Sequence, residues 1–373
     1  MPCSLWSALT RSWKTYWNKH PQGRTERQGV RRLRGLSFQP LEQRTMLAVL
    51  PELVRDIFPG GSSGNLSQFT EVNGTLYFQA TDGTNGRELW KSDGSSAGTV
   101  LVKDIFVAKL NSSGAFIWAR QLGGISNDQG NGISVDAAGN VFTTGVFADV
   151  ADFDPGVGSH TLEGDFGSNE IFVSKLTSAG AFAWARNLGG PVPGSTTDEG
   201  LGIAVDTAGN VFTTGFFQGT ADFDPGAGTS NLTSAGSSDI FVSKLTSTGN
   251  FSIAVGFGAA AGGVNIGAAV ATDAAGNAYT TGYFRGTVDF DPGPGASLLT
   301  AAGLQNIFVS KLDSAGNFVW ARQLGGSGGN NVANGIAVDA SGNVLTTGSF
   351  QGTADFDPGA GTSNLTSAGN DKI

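Results

Sequence analysis

The 373-residue chain has few of the residues that most often carry chemistry. Cys3 is the sole cysteine, so no disulfide can form within the chain. His20 and His160 are the only histidines. A histidine-based zinc site or a Ser-His-Asp triad would have to rest on His160, which has no counterpart in the repeats described below. Charged residues make up only 14% and proline only 12 positions. Long apolar runs are scarce too: the uncharged stretch Ser252 to Thr272 is mostly Gly and Ala and is not read as a membrane span.

Glycine is the residue in excess, with 58 positions set between short runs of Val, Phe, Thr and Ile. Such a composition predicts an all-β protein of many short strands and turns. At 39% hydrophobic, the chain can bury one large core or two. Charge is uneven. Residues 1–48 carry nine Lys/Arg against Glu26 and Glu42, which leaves a net −16 for the rest. An acidic body lacks the basic face that phosphates require; this argues against nucleic acid as a partner and fits an extracellular or surface setting.

Self-similarity organises most of the sequence. IFVAKLNSSGAFIWARQLGG begins at Ile105, and related stretches begin at Ile171, Ile240 and Ile307, with a fifth starting at Ile373. Between them lie hairpins of the form GIAVDTAGNVFTTG, starting at Gly132, Gly202, Ala269 and Gly335, each followed by DFDPG. The period is about 67 residues, and the twenty residues from Phe217 to Gly236 return unchanged from Phe350 to Gly369. Each unit parses into four strands: GIAVD and NVFTTG around a turn that Asp206 can stabilise, with Gly209 or Asn210 at positive φ, then IFVSKL and FAWARNLG around TSAG. Alternation sets Phe182, Trp184 and Arg186 on one strand face and Ala183 and Ala185 on the other. Four antiparallel strands per unit, in tandem, predict β-propeller blades of about 67 residues.

Three segments resemble known families. DIFVSKL, G-x-F-x-W, LGG and GIAVDxxGNVFTTG, over residues 105–373, resemble the SBBP-type bacterial β-propeller repeat, which implies about seven blades. The third unit departs most, with Ile253 and Val255 where the others have Trp and Arg, so its outer strand is expected to pack poorly. Residues 51–104, through TLYFQATDGTNGRELWKSDGSSAGTVLVKDI, resemble the ELWxxDGT repeat of secreted proteins, itself strand-rich. Within the basic segment 1–50, FQPLEQRTMLAVL resembles the LEPRxLL-type sorting tag at Leu41, Glu42, Arg44 and Leu47, with Gln43 and Met46 departing from it. That resemblance implies export or surface sorting.

Four repeat units fall short of seven blades. Either the first IFVAKL/FIWAR hairpin completes a blade with the last GIAVD/NVLTTG hairpin, with or without residues 51–104 as an extra blade, or the chain is a truncated fragment of a longer surface protein; a strand that has only just begun at Ile373 favours the second.

The DFDPG motifs supply the paired carboxylates Asp152 and Asp154, Asp222 and Asp224, Asp289 and Asp291, Asp355 and Asp357. Two residues apart in a strand, both would face one way with the phenylalanine turned inward, and each pair could share a calcium ion. The spacing is not that of an EF-hand, and the competing reading is an Asp-Pro-Gly that ends an edge strand. A glycosidase also needs two carboxylates, but four near-identical pairs around a ring argue for structure or multivalent binding. Lys175, Lys244 and Lys311 read as charged strand ends reaching solvent. The chain is therefore expected to be a non-catalytic binding or adhesion scaffold at a bacterial cell surface, with a protein or glycan partner and no transmembrane segment. A glycan-active propeller enzyme is the alternative, with His160 and Glu163 as its unique ionisable residues.

Overall fold

The computed structural model describes residues 67–368 apart from 73–74, 81–87, 96–98, 102–104, 125, 165–167, 190–196 and 260–262. The sorting-tag resemblance at 38–48 and the fifth copy at Ile373 lie outside the described residues. All described elements are strands and turns. The chain divides into two compact units, Met1–Leu101 and Val102–Ile373.

In the first unit, β1 (Ser67–Val72), β2 (Thr75–Ala80), β3 (Glu88–Ser92) and β4 (Val100–Leu101) form one antiparallel meander. Ala80 and Trp90 are buried in it, with Leu76 packed alongside. The turn after β3 is set by Asp93, whose Oδ1 accepts from the Ser95 amide, and by Gly94 at φ +90°.

The second unit opens with β5 (Ile105–Leu110) and β6 (Phe116–Gly124). Next come β7 (Gln129–Val135), β8 (Val141–Ala148), the short pair β9 (Val150–Asp152) and β10 (Thr161–Glu163), then β11 (Asn169–Leu176) and β12 (Phe182–Leu188). The pattern repeats as β13 (Glu199–Val205), β14 (Val211–Phe217), β15 (Thr220–Asp222), β16 (Asn231–Thr233), β17 (Asp239–Leu245) and β18 (Phe251–Phe257). A third round is β19 (Ile266–Thr272), β20 (Ala278–Phe284), β21 (Thr287–Asp289), β22 (Leu298–Thr300), β23 (Asn306–Leu312) and β24 (Phe318–Leu324). The described chain closes with β25 (Val332–Val338), β26 (Val344–Ser349), β27 (Thr353–Asp355) and β28 (Asn364–Thr366).

Three complete blades result: β7-β8-β11-β12, β13-β14-β17-β18 and β19-β20-β23-β24, each a four-stranded antiparallel sheet. The protein is all-β with the sheets of a propeller-like repeat. Successive innermost strands, β7, β13, β19 and β25, lie against one another. Their crowding explains the small residues in GIAVD, since a Cβ on Gly202 would press into the backbone of Ala269 in the next blade. Between the sheets lie rows of phenylalanines: Phe153, Phe172, Phe223, Phe241, Phe290 and Phe308 are fully buried.

Local chemistry sets each hairpin. Asp206 Oδ1 accepts from the amides of Ala208 (2.9 Å) and Asn210 (2.8 Å), its Oδ2 accepts from the Asn210 side chain, and Gly209, not Asn210, takes the positive φ of +82°. Asp136, Asp273 and Asp339 repeat this turn. At Asp339 the side-chain and main-chain amides of Asn343 hold the carboxyl below its usual range.

Among the described residues no strand closes a ring within the chain. β25 and β26 stand as a two-stranded sheet, and β5 pairs with β6 and not with β26.

Candidate functional site at the blade joints

The DFDPG motif forms a small hairpin that reaches back to the preceding blade. The Gly189 amide, just past the outer strand β12, donates to the Asp222 carbonyl at 2.9 Å, and the Asp222 amide returns a bond to the Gly189 carbonyl. Gly325 and Asp355 repeat the exchange, and at the first joint β6 pairs with β9 through Gly123 and Asp152. The glycine after each bridge keeps the approach open: a Cβ on Gly124 or Gly326 would overlap a carbonyl oxygen of the hairpin. In the third copy this position is Ala259, and among the described residues the equivalent Gly258 and Asp289 are not bridged.

This placement corrects the expected geometry of the aspartate pairs. The strand ends at the first aspartate of each pair, so the second lies in the turn and the rule that residues two apart share a face does not apply. Asp222 Oδ1 accepts from the amides of Asp224 (3.0 Å) and Ser230 (2.7 Å), while Asp224 Oδ1 accepts from Gly226 (2.8 Å). Asp152 and Asp154, Asp289 and Asp291, and Asp355 and Asp357 make the same bonds. The amides of Ser363 and Asp357 hold the Asp355 carboxyl below its usual range. The intervening Phe153, Phe223 and Phe290 are buried, as expected. Among the described residues, no three His, Cys, Asp or Glu side chains gather where they could hold a metal ion. Asp222→Ala should therefore loosen its hairpin at a cost of about 2 kcal/mol, one net hydrogen bond to a charged group. The full chain should melt at the same temperature with calcium and with chelator; a calcium-dependent rise that Asp222→Ala abolishes would contradict this.

Two of the strand-end lysines differ from expectation, because Lys175 and Lys244 reach the next blade, while Lys311 pairs with Asp273 of its own blade at 3.7 Å. Lys175 Nζ donates to the Ser247 carbonyl in the next blade at 3.3 Å, and Trp184 Nε1 donates to the same carbonyl at 3.2 Å. Arg186 Nε reaches the Gly249 carbonyl at 2.8 Å and Nη2 the Thr248 carbonyl at 3.4 Å. Lys109, Trp118 and Arg120 grip the turn Ser178–Gly180 in the same way. Each lysine also lies over an aromatic ring of its own blade: Lys175 over Phe142 at 4.8 Å, Lys244 over Phe212 at 5.0 Å and Lys311 over Tyr279 at 4.7 Å. A charged, planar clamp of one blade thus satisfies the backbone carbonyls of its neighbour's turn.

Residues 117–146 and 319–352 match the profile of the SBBP family, described as a beta-propeller repeat. At these two segments the chain carries SBBP-type repeats. It is also 29% identical over 249 residues to an uncharacterized WD repeat-containing protein of Acanthamoeba polyphaga mimivirus, in an alignment covering 59% of this chain and 17% of that protein. The chain therefore spans less than a fifth of the length of this relative.

Each matched SBBP segment straddles a joint, running from the outer strand that carries Trp and Arg to the inner hairpin of the next blade. The third copy lacks two of the three clamp residues. Lys244 still reaches the Ser314 carbonyl at 2.8 Å, but Ile253 packs on Gly316 where Trp would bond, and β18 is less buried than β12. The double substitution Ile253→Trp with Val255→Arg should restore three bonds and raise stability by about 1–2 kcal/mol, read as the shift in the urea midpoint at unchanged slope. A destabilised double variant would count against the clamp.

A buried polar contact also lies at each joint. Asp198 is 3% exposed and Glu170 2%. Asp198 Oδ1 accepts from the Gln218 amide at 2.9 Å. Burial, with the Glu170 carboxylate beside it, pushes the Asp198 pKa up to about 7. The next joints place Asn265 against Asp239 and Asn331 against Asn306. Sequence reasoning missed this set, although its drift from acid pair to amide pair along the repeats is visible once the copies are aligned. His160, singled out as unique, stacks on Phe182 with ring centroids 4.7 Å apart. Glu163 contributes its carbonyl to Asn187. Arg186 of one blade lies against the Asp224–Gly226 and Gly249–Phe251 turns of the next blade, and together they line a cleft.

Proposed function

We propose that the chain is a non-catalytic binding scaffold at a bacterial cell surface, engaging a protein or glycan through the cleft that Arg186 lines at a blade joint. The observation that carries this reading is the cleft between the DFDPG turn and the clamped turn. It combines a guanidinium, a carboxylate, an aromatic ring and glycine backbone at Arg186, Asp224, Phe251, Gly226 and Gly249, a mixture suited to hydroxyl-rich or peptide ligands. Repetition of the elements supports multivalent capture, where modest single-site affinity is multiplied by tethering. Enzymes gather one asymmetric set of groups, and the carboxylate pairs here are spent on turn amides. Surface placement is supported by the acidic body and by the tag-like segment at 38–48.

A glycan array probed with the labelled full chain tests the proposal. Saturable binding that weakens in Arg186→Ala, with the bound glycans recovered intact, is the expected result. Release of new reducing ends would replace this reading with the enzymatic one, and no binding to glycans or to cell-surface protein extracts would remove it.

A further inference from the structure

The joints between blades are built alike but furnished differently. At the first, the His160 imidazole lies on the Phe182 ring, with centroids 4.7 Å apart. His160 stands eight residues after Asp152, whose Oδ1 accepts from its amide, and Ser230 stands in the same place after Asp222. Because β16 lies against β18 as β10 lies against β12, the position that an imidazole fills over Phe182 belongs to a serine at Phe251. Ser297 and Phe318 repeat this at the third joint, but there the arginine is replaced by Val255. Among the described joints, the second alone combines the arginine with an aromatic ring on which no other described ring stacks.

The polar groups left over in this cleft are few and complementary. Of the five N–H groups of Arg186, three are spent on the carbonyls of Gly249, Ala185 and Thr248, which leaves one on each terminal nitrogen. Asp224 spends Oδ1 on the Gly226 amide and keeps Oδ2. The Gly226 and Gly249 amides are bonded inside their own turns, so an extended peptide finds no ladder to join there. One guanidinium and one carboxylate cancel across a cleft of about 400 Å³, and the net −16 of the chain beyond residue 48 repels anions.

We infer that the second joint binds one pyranose ring of a neutral glycan, an inference that rests on the binding-scaffold reading above. The apolar face of the sugar lies on Phe251, in the place that His160 takes on Phe182 at the first joint. Neighbouring sugar hydroxyls, each both donor and acceptor, accept from the remaining Arg186 N–H groups and donate to Asp224 Oδ2. A carboxylate on the ligand would meet Asp224, and an ammonium would meet Arg186. Neutrality is what the pair selects. The first joint carries the same parts at Arg120, Asp154 and Phe182, but there a ring of the chain itself sits where the sugar would.

Titration calorimetry of the full chain with neutral tetrasaccharides of glucose, galactose or mannose tests this, with tetragalacturonate as the charged control. One neutral sugar should bind at a single site per chain, with a dissociation constant on the order of millimolar for so small a contact. Ser230→His, which places an imidazole over Phe251, should weaken that binding about tenfold or more. His160→Ser should open the first joint and raise the stoichiometry from one to two. Each substitution installs the residue that a sister copy already carries at that position. Neutral sugars that bind Ser230→His as well as the unaltered chain, tighter binding of tetragalacturonate, or no heat from any neutral sugar would each overturn the inference. Binding of protein or charged glycan that Arg186→Ala abolishes would then leave the scaffold reading standing, so the two failures are separable.

Discussion

Asp198→Asn should raise the stability of the second unit at pH 8 and leave it nearly unchanged at pH 4. The Asp198 pKa is raised from 3.8 to about 7 in the fold, first by burial and then by the Glu170 carboxylate. Between these values the folded state binds more protons than the unfolded state, so this group makes the protein more stable as pH falls through 7 towards 4. Above pH 7 the cost of ionising it in place is fully present. With each pKa unit equal to about 1.4 kcal/mol, that cost is at most about 4 kcal/mol. An asparagine keeps the acceptor for the Gln218 amide and adds a donor towards Glu170, as Asn265 does towards Asp239. Urea midpoints of both forms from pH 4 to pH 8 measure the effect. Curves that stay parallel over that range would show that Asp198 does not hold a proton at neutral pH.

Gly215→Ala should cost about 3 kcal/mol or more. Gly215 sits in β14 opposite the bulge between Gly200 and Gly202, and a Cβ there would overlap the Glu199 carbonyl oxygen and crowd the Phe241 ring. Neither neighbour can yield cheaply, because one is ladder backbone and the other is core. The same glycine closes every TTG, at Gly145, Gly282 and Gly348, and each would strike the corresponding inner-strand carbonyl. Gly209→Ala, by contrast, meets only the Ser247 side chain and should cost about 1 kcal/mol for its positive φ. Equal destabilisation by the two, measured by thermal melting, would mean that the bulge is not what selects glycine.

The blades were legible in the sequence because repetition, alternation and turn chemistry all point the same way. Asp206, Gly209 and Asn210 specify a hairpin by local bonds, and local bonds leave local signatures. The joint was less legible. Alternation placed Trp184 and Arg186 on one face, and Lys175 is the cross-strand partner of Trp184, but their target is a backbone turn some 60 residues away. Carbonyls leave no mark in a sequence. A trace did exist: Trp and Arg disappear together at Ile253 and Val255, as expected of residues that act on one object. The second aspartate of each pair was misplaced for a related reason, since alternation cannot tell a strand residue from one already in the turn.

The central claim is that each copy is held by the next through the Lys, Trp and Arg of its outer strands. Amide hydrogen exchange of Trp184→Ala tests it most directly. Exchange should quicken in the turn Thr246–Asn250 of the following blade, while the turn Thr177–Ala181 of the blade bearing the substitution keeps its protection. Faster exchange at Thr177–Ala181 with Thr246–Asn250 unchanged would contradict the account.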